Sequence, residues 1–269
     1  MNDGTTPVVR TLRLHADWPA VEVLYEDQDI LALNKPAGLL VAPDRWDKSK
    51  PNLMGLLFAG IRAGRPWATE AGITYLANAH RLDQFTSGVL ILAKGRVALV
   101  NLARQFAHRR PKKVYTALVV GGPSEPETRV DLALSPHPNQ PGRMVVAPKR
   151  GKAAQTRFTV LERFRRYALV RAEPTTGRMH QIRVHLKALG CPLVADGEYG
   201  NGAPLLLSRL KPNYKMKEEG ERPLLSRPAL HAESIEIIQP STGRRVTIHA
   251  PWPKDLTIAV KYLRKFAAV

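Results

Sequence analysis

Cysteine is almost absent from this chain of 269 residues; Cys191 stands alone, which excludes an internal disulfide and points to a reducing cytoplasm. It follows an expected helix end, precedes Pro192 and has no base evident beside it, so it reads as a packing residue rather than a nucleophile. No apolar run approaches the length of a membrane-crossing helix. The opening Met1-Asn2-Asp3-Gly4-Thr5-Thr6-Pro7 lacks the charged and apolar regions of a signal peptide. Phosphate-loop and zinc signatures are missing as well. His180 and His185 are five apart, off the i, i+4 spacing of a helical zinc site, so neither metal nor cofactor is expected. No internal repeat is visible. Acids are the last shortage, with 23 Asp and Glu against 41 Lys and Arg, a net charge of +18. Such an excess predicts attraction to polyanions and says little about fold.

What is present is an ordinary globular composition, 44% hydrophobic and 24% charged, long enough for one large domain or two small ones. The basic residues are blocked rather than scattered. Arg104, Arg109, Arg110, Lys112 and Lys113 fall within ten residues, and nine basic residues with one acid, Glu162, run from Arg143 to Arg171. A solubilising face usually mixes both signs. One-signed blocks, Arg165 and Arg166 among them, read better as a surface that tracks phosphates. Nucleic acid is the expected partner, with no membrane and no required protein partner, the chain acting as a monomer.

Periodicity gives the coarse elements. Residues 1–18 read as a tail or edge addition. Val21–Tyr25 and Ile30–Leu33, separated by Glu26-Asp27-Gln28-Asp29, suit a hairpin that Asn34-Lys35-Pro36-Ala37-Gly38 ends. Helical groupings cover Asn52–Arg62 and Val97–Arg110, the second stopped by Pro111. Val114–Val120 is apolar on both alternations, as in a central strand.

Two strings carry chemistry. In His80-Arg81-Leu82-Asp83-Gln84-Phe85-Thr86-Ser87-Gly88 one carboxylate sits in a polar turn ahead of the apolar run Val89–Ala93. Arg81 leaves the chain on the same side as Asp83 if the segment is extended. The bland alternative is an Asx-turn, with Asp83 bonded to the following amides. In Thr176-Gly177-Arg178-Met179-His180-Gln181-Ile182-Arg183-Val184-His185-Leu186, apolar residues at 182, 186 and 189 with a stop at Gly190 predict a helix over 179–189. Arg183 on it is either a surface arginine or a planar fork holding a carboxylate from elsewhere.

Together these strings resemble the RluA-type RNA pseudouridine synthases. The opening strands with Asn34-Lys35-Pro36-Ala37-Gly38, Lys113-Val114-Tyr115-Thr116-Ala117-Leu118, Ala195-Asp196-Gly197-Glu198-Tyr199-Gly200 and Arg227-Pro228-Ala229-Leu230-His231-Ala232 are similar to that family's segments, in its order, from about residue 21 to Pro253. Ala195 stands where the family usually has Gly. The resemblance implies an α+β fold, a long mixed and mostly antiparallel sheet flanked by helices and loops, with an active cleft across its middle. It implies one catalytic domain over 19–269, with 201–226 as an insertion. Too few residues precede Val21 for the S4-type module that some relatives carry. It further implies Asp83 as the catalytic residue, paired with Arg183, and Tyr115 as a catalytic partner that stacks on the base and assists the late proton removal from C5. Arg81 would fill the space that a flipped base leaves, and Leu230 would wall the pocket. The expected activity is isomerisation of uridine in ribosomal or transfer RNA. A non-catalytic basic RNA-binding protein explains the charge but not the Asp83, Tyr115 and Arg183 constellation. A glycoside hydrolase needs a second acid that the motifs do not supply.

Overall fold

The computed structural model describes residues 10–45, 47–216 and 220–269, so residues 1–9 of the expected tail and 217–219 of the expected insertion lie outside them. At the sheet's edge β1 (Thr11–Leu12) pairs with β2 (Val21–Glu26), burying Leu12. The hairpin from β2 into β3 (Ile30–Lys35) turns on Asp27, whose Oδ1 accepts the amides of Asp29 and Ile30, each at 2.8 Å. Helix α1 (Leu53–Arg62) starts where the Asn52 side chain accepts the amide of Gly55. The short α2 (Pro66–Thr69) has Pro at its first position.

After β4 (Ala77–Asn78), β5 (Ser87–Ala93) is buried at every residue, as the unbroken apolar run requires. Helix α3 (Arg96–Ala107) stops three residues short of the expected Arg110, because the chain turns left-handed at Arg109 (φ 57°) before Pro111. Strand β6 (Lys112–Val120) then crosses the molecule. Next come β7 (Glu127–Asp131) and a separate two-stranded ribbon of β8 (Leu134–Pro136) and β9 (Met144–Val146). The long hairpin β10 (Gln155–Phe164) and β11 (Tyr167–Pro174) leads to α4 (Gln181–Ala188). Strands β12 (Leu230–Ile238) and β13 (Arg245–His249) and helix α5 (Lys254–Phe266) complete the chain.

The main sheet runs β1-β2-β3-β5-β12-β6-β11-β10-β7, with β13 on β12 and β4 on β5. Among the described residues its pairings are antiparallel except β5 with β12 at the centre. That parallel contact needs Gly88: at φ 112°, a Cβ there would lie 2.1 Å from the carbonyl oxygen of Ala232. One residue further, β12 bulges at Glu233 and shifts its register on β6 beside Tyr115. The molecule is therefore α+β, a large mixed sheet flanked by a few helices.

Alternation along the strands builds a core on each face. Leu31, Leu33, Leu90 and Leu92 pack with α1 and α2, whereas Ile30, Ala32, Val89 and Ile91 pack with α3. Farther along, Leu118 and Leu169 meet Leu256, Ala259, Val260 and Leu263 of α5, spaced as a helix stripe. Ala117, Val119, Phe158 and Val170 meet Ile182 and Leu186 of α4. The stretch 201–226 closes at its base, where Leu205 and Leu225 are paired and buried against α5.

Candidate active site

Residues 80–86 form the loop entering β5, and it is pinned from every side. His80 accepts the amide of Ile91 through Nε2 at 3.0 Å and stacks on Phe106. Burial lowers its pKa to about 3, so it is a neutral acceptor. Buried Lys35 donates to the carbonyls of Pro36, Leu39 and Gln84 at 2.8, 2.8 and 3.0 Å. Gln84 and Gly38 exchange two further bonds. From the other side Arg227 donates to the carbonyl of Phe85 while its fork grips Asp255 at 2.7 and 3.0 Å. Ser87 bonds His231, fixing the loop's exit to β12.

The loop holds Asp83 by its backbone, whose carbonyl accepts the amide of Thr86 at 3.1 Å. The Asp83 carboxylate makes no hydrogen bond among the described residues, so the Asx-turn alternative fails. It opens into a cleft of about 480 Å³ that Arg81, Leu82, Tyr115, His180, Arg183 and Leu230 help to line. That volume lies within the usual range for small-ligand sites. Tyr115 and Leu230 arrive on neighbouring strands, and His180 and Arg183 come from the start of α4.

The pairing expected between Arg183 and Asp83 is not the main one. Arg183 directs Nε and Nη2 at Asp196, both bonds at 2.8 Å, and Nη2 also lies 2.8 Å from Glu198. Asp83 is 3.9 Å from Nη1 and 4.0 Å from Nε2 of His180. Arg183 is thus the shared counter-ion of three carboxylates, and Asp196, fully buried, holds its fork. Burial opposes charge on Asp196, but the hydrogen bonds and charge of Arg183 hold its carboxyl below the usual range. Arg183 also lies over the ring of Tyr199 at 4.8 Å, and the Tyr199 hydroxyl meets His180 at 2.8 Å. His180 itself is left-handed (φ 53°), so α4 starts at Gln181 rather than 179. Arg165 and Arg166 lie elsewhere. They form the β10–β11 turn beyond Tyr167, which pairs with Val120, five residues or roughly 17 Å along β6 from Tyr115. Arg165 is bonded to the carbonyl of Phe266 on α5.

Residues 29–188 match the family described as RNA pseudouridylate synthase. The chain belongs to that family. It is similar to the dual-specificity RNA pseudouridine synthase RluA of Escherichia coli K12, 37% identical over 87% of this chain and 94% of that protein. It is also similar to the uncharacterized RNA pseudouridine synthase YlyB of Bacillus subtilis, 34% identical over 97% and 78% of the two chains. Ribosomal large subunit pseudouridine synthase D of Neisseria meningitidis is 34% identical over 91% of this chain and 62% of that protein. Among solved structures, human RNA pseudouridylate synthase domain containing 1 superposes with a TM-score of 0.63 at 28% identity, over 87% and 84% of the chains. The enzymes of this pseudouridylate synthase family are isomerases, and the present chain has their fold around its cleft.

Several residues that support the synthase cleft from behind its lining escaped the sequence reading. Asp196, Glu198 and Tyr199 stood in a recognised string without assigned roles, though the reading of Arg183 as a fork for a carboxylate from elsewhere was the signal that could have found Asp196. Lys35 and Arg227 also lay in motifs, but nothing local announces that their charged ends reach the backbone of another loop. His180 was weighed only as a metal ligand. Among the described residues no three His, Cys, Asp or Glu side chains gather as metal ligands, and no helix is long and apolar enough to cross a membrane.

Proposed function

We propose that this chain isomerises uridine to pseudouridine in structured RNA, with Asp83 as the reacting carboxylate and the target base flipped into the cleft. The observation that carries this reading is a carboxylate free of hydrogen bonds among the described residues, in a cleft of nucleoside size, on a loop pinned on both flanks. A loosely held loop carrying an Asx-turn would suit a passive RNA-binding protein; a pinned loop whose carboxylate faces only counter-charges at 3.9 and 4.0 Å suits chemistry.

A stacked base cannot present its N1–C1′ bond to a side chain, so flipping precedes reaction. The N1–C1′ bond breaks, the uracil turns and C5 bonds to C1′; C5 then gives up a proton and N1 gains one. Asp83 enters either by attacking the ribose carbon or by removing a ribose proton. Arg183, its fork held by Asp196, is a looser counter-ion to Asp83 at 3.9 Å and balances its charge without a hydrogen bond to either oxygen. Tyr115 stacks on the base. Burial, and then the nearby Asp83 charge, raise its pKa well above the ordinary value, so its hydroxyl meets the base protonated and relays a proton rather than starting as a base. Leu230 supplies apolar wall, and exposed Arg81 fills the gap that the flipped base leaves. Arg165 and Arg166 serve as outer phosphate contacts at most.

On this reading the chain works in the cytoplasm as a monomer over 19–269, with 201–226 as its own insertion. The buried Cys191, its thiol pushed up to about 11 by burial, takes no part. Ribosomal and transfer RNA remain the two substrate classes, in keeping with relatives named for large-subunit and dual-specificity modification. Transcripts of each, carrying tritium at uridine C5, decide both points. Wild-type protein should release tritium from at least one class as pseudouridine forms, and no release from either would overturn the reading.

A further inference from the structure

The cleft contains a charged group that the isomerisation leaves unused. Lys113 sits on β6 two residues before Tyr115, so both side chains leave the strand on the same face. Its ammonium reaches into the same cleft, donates to the carbonyl of Thr176 at 2.8 Å, and has no carboxylate within 4.0 Å among the described residues. Burial pulls its pKa down to about 8, with no neighbouring acid to oppose the shift.

The other groups at this end are also cationic or neutral. Arg109, exposed at the left-handed turn between α3 and β6, lines the cleft and has no ion pair among the described residues. Arg178 lines it too and spends its Nε on the carbonyl of Ala153 at 3.1 Å. His80 is committed to the Ile91 amide and carries no charge. Gly177 leaves room: a Cβ there would stand 3.9 Å from the Lys113 Nζ and touch nothing closer. A half-buried ammonium with donors to spare, two guanidiniums and open space make an anion site that the protein itself leaves unfilled.

We propose that Lys113, with Arg109 and Arg178, forms a phosphodiester subsite that grips a backbone phosphate flanking the flipped uridine. The inference rests on the isomerase reading of the cleft and adds to it. A nucleotide turned inward stays tethered through its own phosphates, so one of them is carried to the cleft wall beside the base. Tyr115 and Lys113, adjacent on one strand face, then read base and phosphate of a single nucleotide. The contact sets position and affinity and is blind to sequence.

The test uses Lys113→Met, Lys113→Arg and Arg109→Gln in the full chain. RNA affinity is measured across a salt series on a transfer RNA transcript, and kcat and KM on the transcript that wild type converts. Lys113→Met should weaken binding about tenfold and reduce the slope of log K against log salt by roughly 0.7 to 0.9. The loss should fall mainly on KM. Lys113→Arg should restore slope and affinity, and Arg109→Gln, at an exposed site, should flatten the slope in the same direction. An unchanged slope in both Lys113→Met and Arg109→Gln overturns the subsite. So does a loss in kcat with KM and slope unchanged, which would put Lys113 on the base instead. Wild-type turnover separates the two claims: a wild type that converts no uridine sinks the isomerase reading, while the salt slopes still report on the subsite.

Discussion

The two ends of the cleft are built on opposite electrostatic plans. Around Arg183 the protein supplies its own counter-charges, with Asp196 and Glu198 at 2.8 Å and Asp83 at 3.9 Å. Around Lys113 it supplies no carboxylate within 4.0 Å among the described residues, and three cations line the cleft there. The difference separates positioning from binding. A reacting group gains from neighbours fixed before the substrate arrives, because nothing then reorganises during the reaction. A ligand-binding group gains from staying unpaired, because the ligand brings the missing charge. The +18 net charge alone could not separate these uses, since both ends contain arginine.

The strongest way to break the comparison is to open the closed end. Arg183→Ala leaves Asp196 buried without its partner, and such a loss costs roughly 3 to 5 kcal/mol of stability. In an Asp196→Asn background the same change should cost much less, whereas in an Asp83→Ala background it should cost nearly as much as alone. A double-mutant cycle on unfolding free energy checks this, and strong coupling to Asp83 with none to Asp196 would reverse the assignment.

Lys35→Met should come next, removing about 1 to 3 kcal/mol by stranding three carbonyls and slowing turnover as the Asp83 loop loosens. Its pH signature has a definite sign. Burial lowers the Lys35 pKa to about 7 in the fold, against 10.5 ordinarily. Between those values the unfolded chain binds the extra proton, so wild-type stability gains as pH rises from about 7 towards 10.5. Urea unfolding at several pH values should show wild type gaining on Lys35→Met over that window; a constant gap would mean an ordinary lysine.

Tyr115→Phe keeps the ring and loses the hydroxyl, so turnover should fall by up to about a hundredfold with binding retained. Full activity would remove the proton relay. The smallest effect belongs to Arg165→Glu and Arg166→Glu at the distant hairpin turn. If RNA reaches that far, each flattens the salt slope by no more than roughly 0.7 to 0.9; an unchanged slope confines the phosphate track to the cleft.

Much of this was legible in the sequence. Strands with one apolar alternation or a double one could be placed because burial on one or both faces leaves that pattern, as in β3, β5 and β6. Helix ends were less exact where a backbone choice decided them. Arg109 and His180 adopt positive φ without being glycine, and nothing in composition announces it. Ala195 shows the converse: it too is left-handed, at φ 58°, which accounts for the glycine usual there. The gathering of Asp83, Tyr115, Arg183 and Leu230 followed from motifs. The partner of Arg183 did not, because three carboxylates lie within its reach and only geometry ranks them.

The central claim is that the carboxylate of Asp83 does the chemistry while the rest of the cleft holds and aims the RNA. Single-turnover conversion by Asp83→Asn, at RNA concentrations that saturate it, tests this most directly. Asparagine keeps the size and shape of the side chain but offers no carboxylate. Pseudouridine formation should be undetectable while the variant still binds the transcript. Conversion within about tenfold of wild type, a difference of only about 1.4 kcal/mol in barrier, would contradict the account and place the reacting group elsewhere.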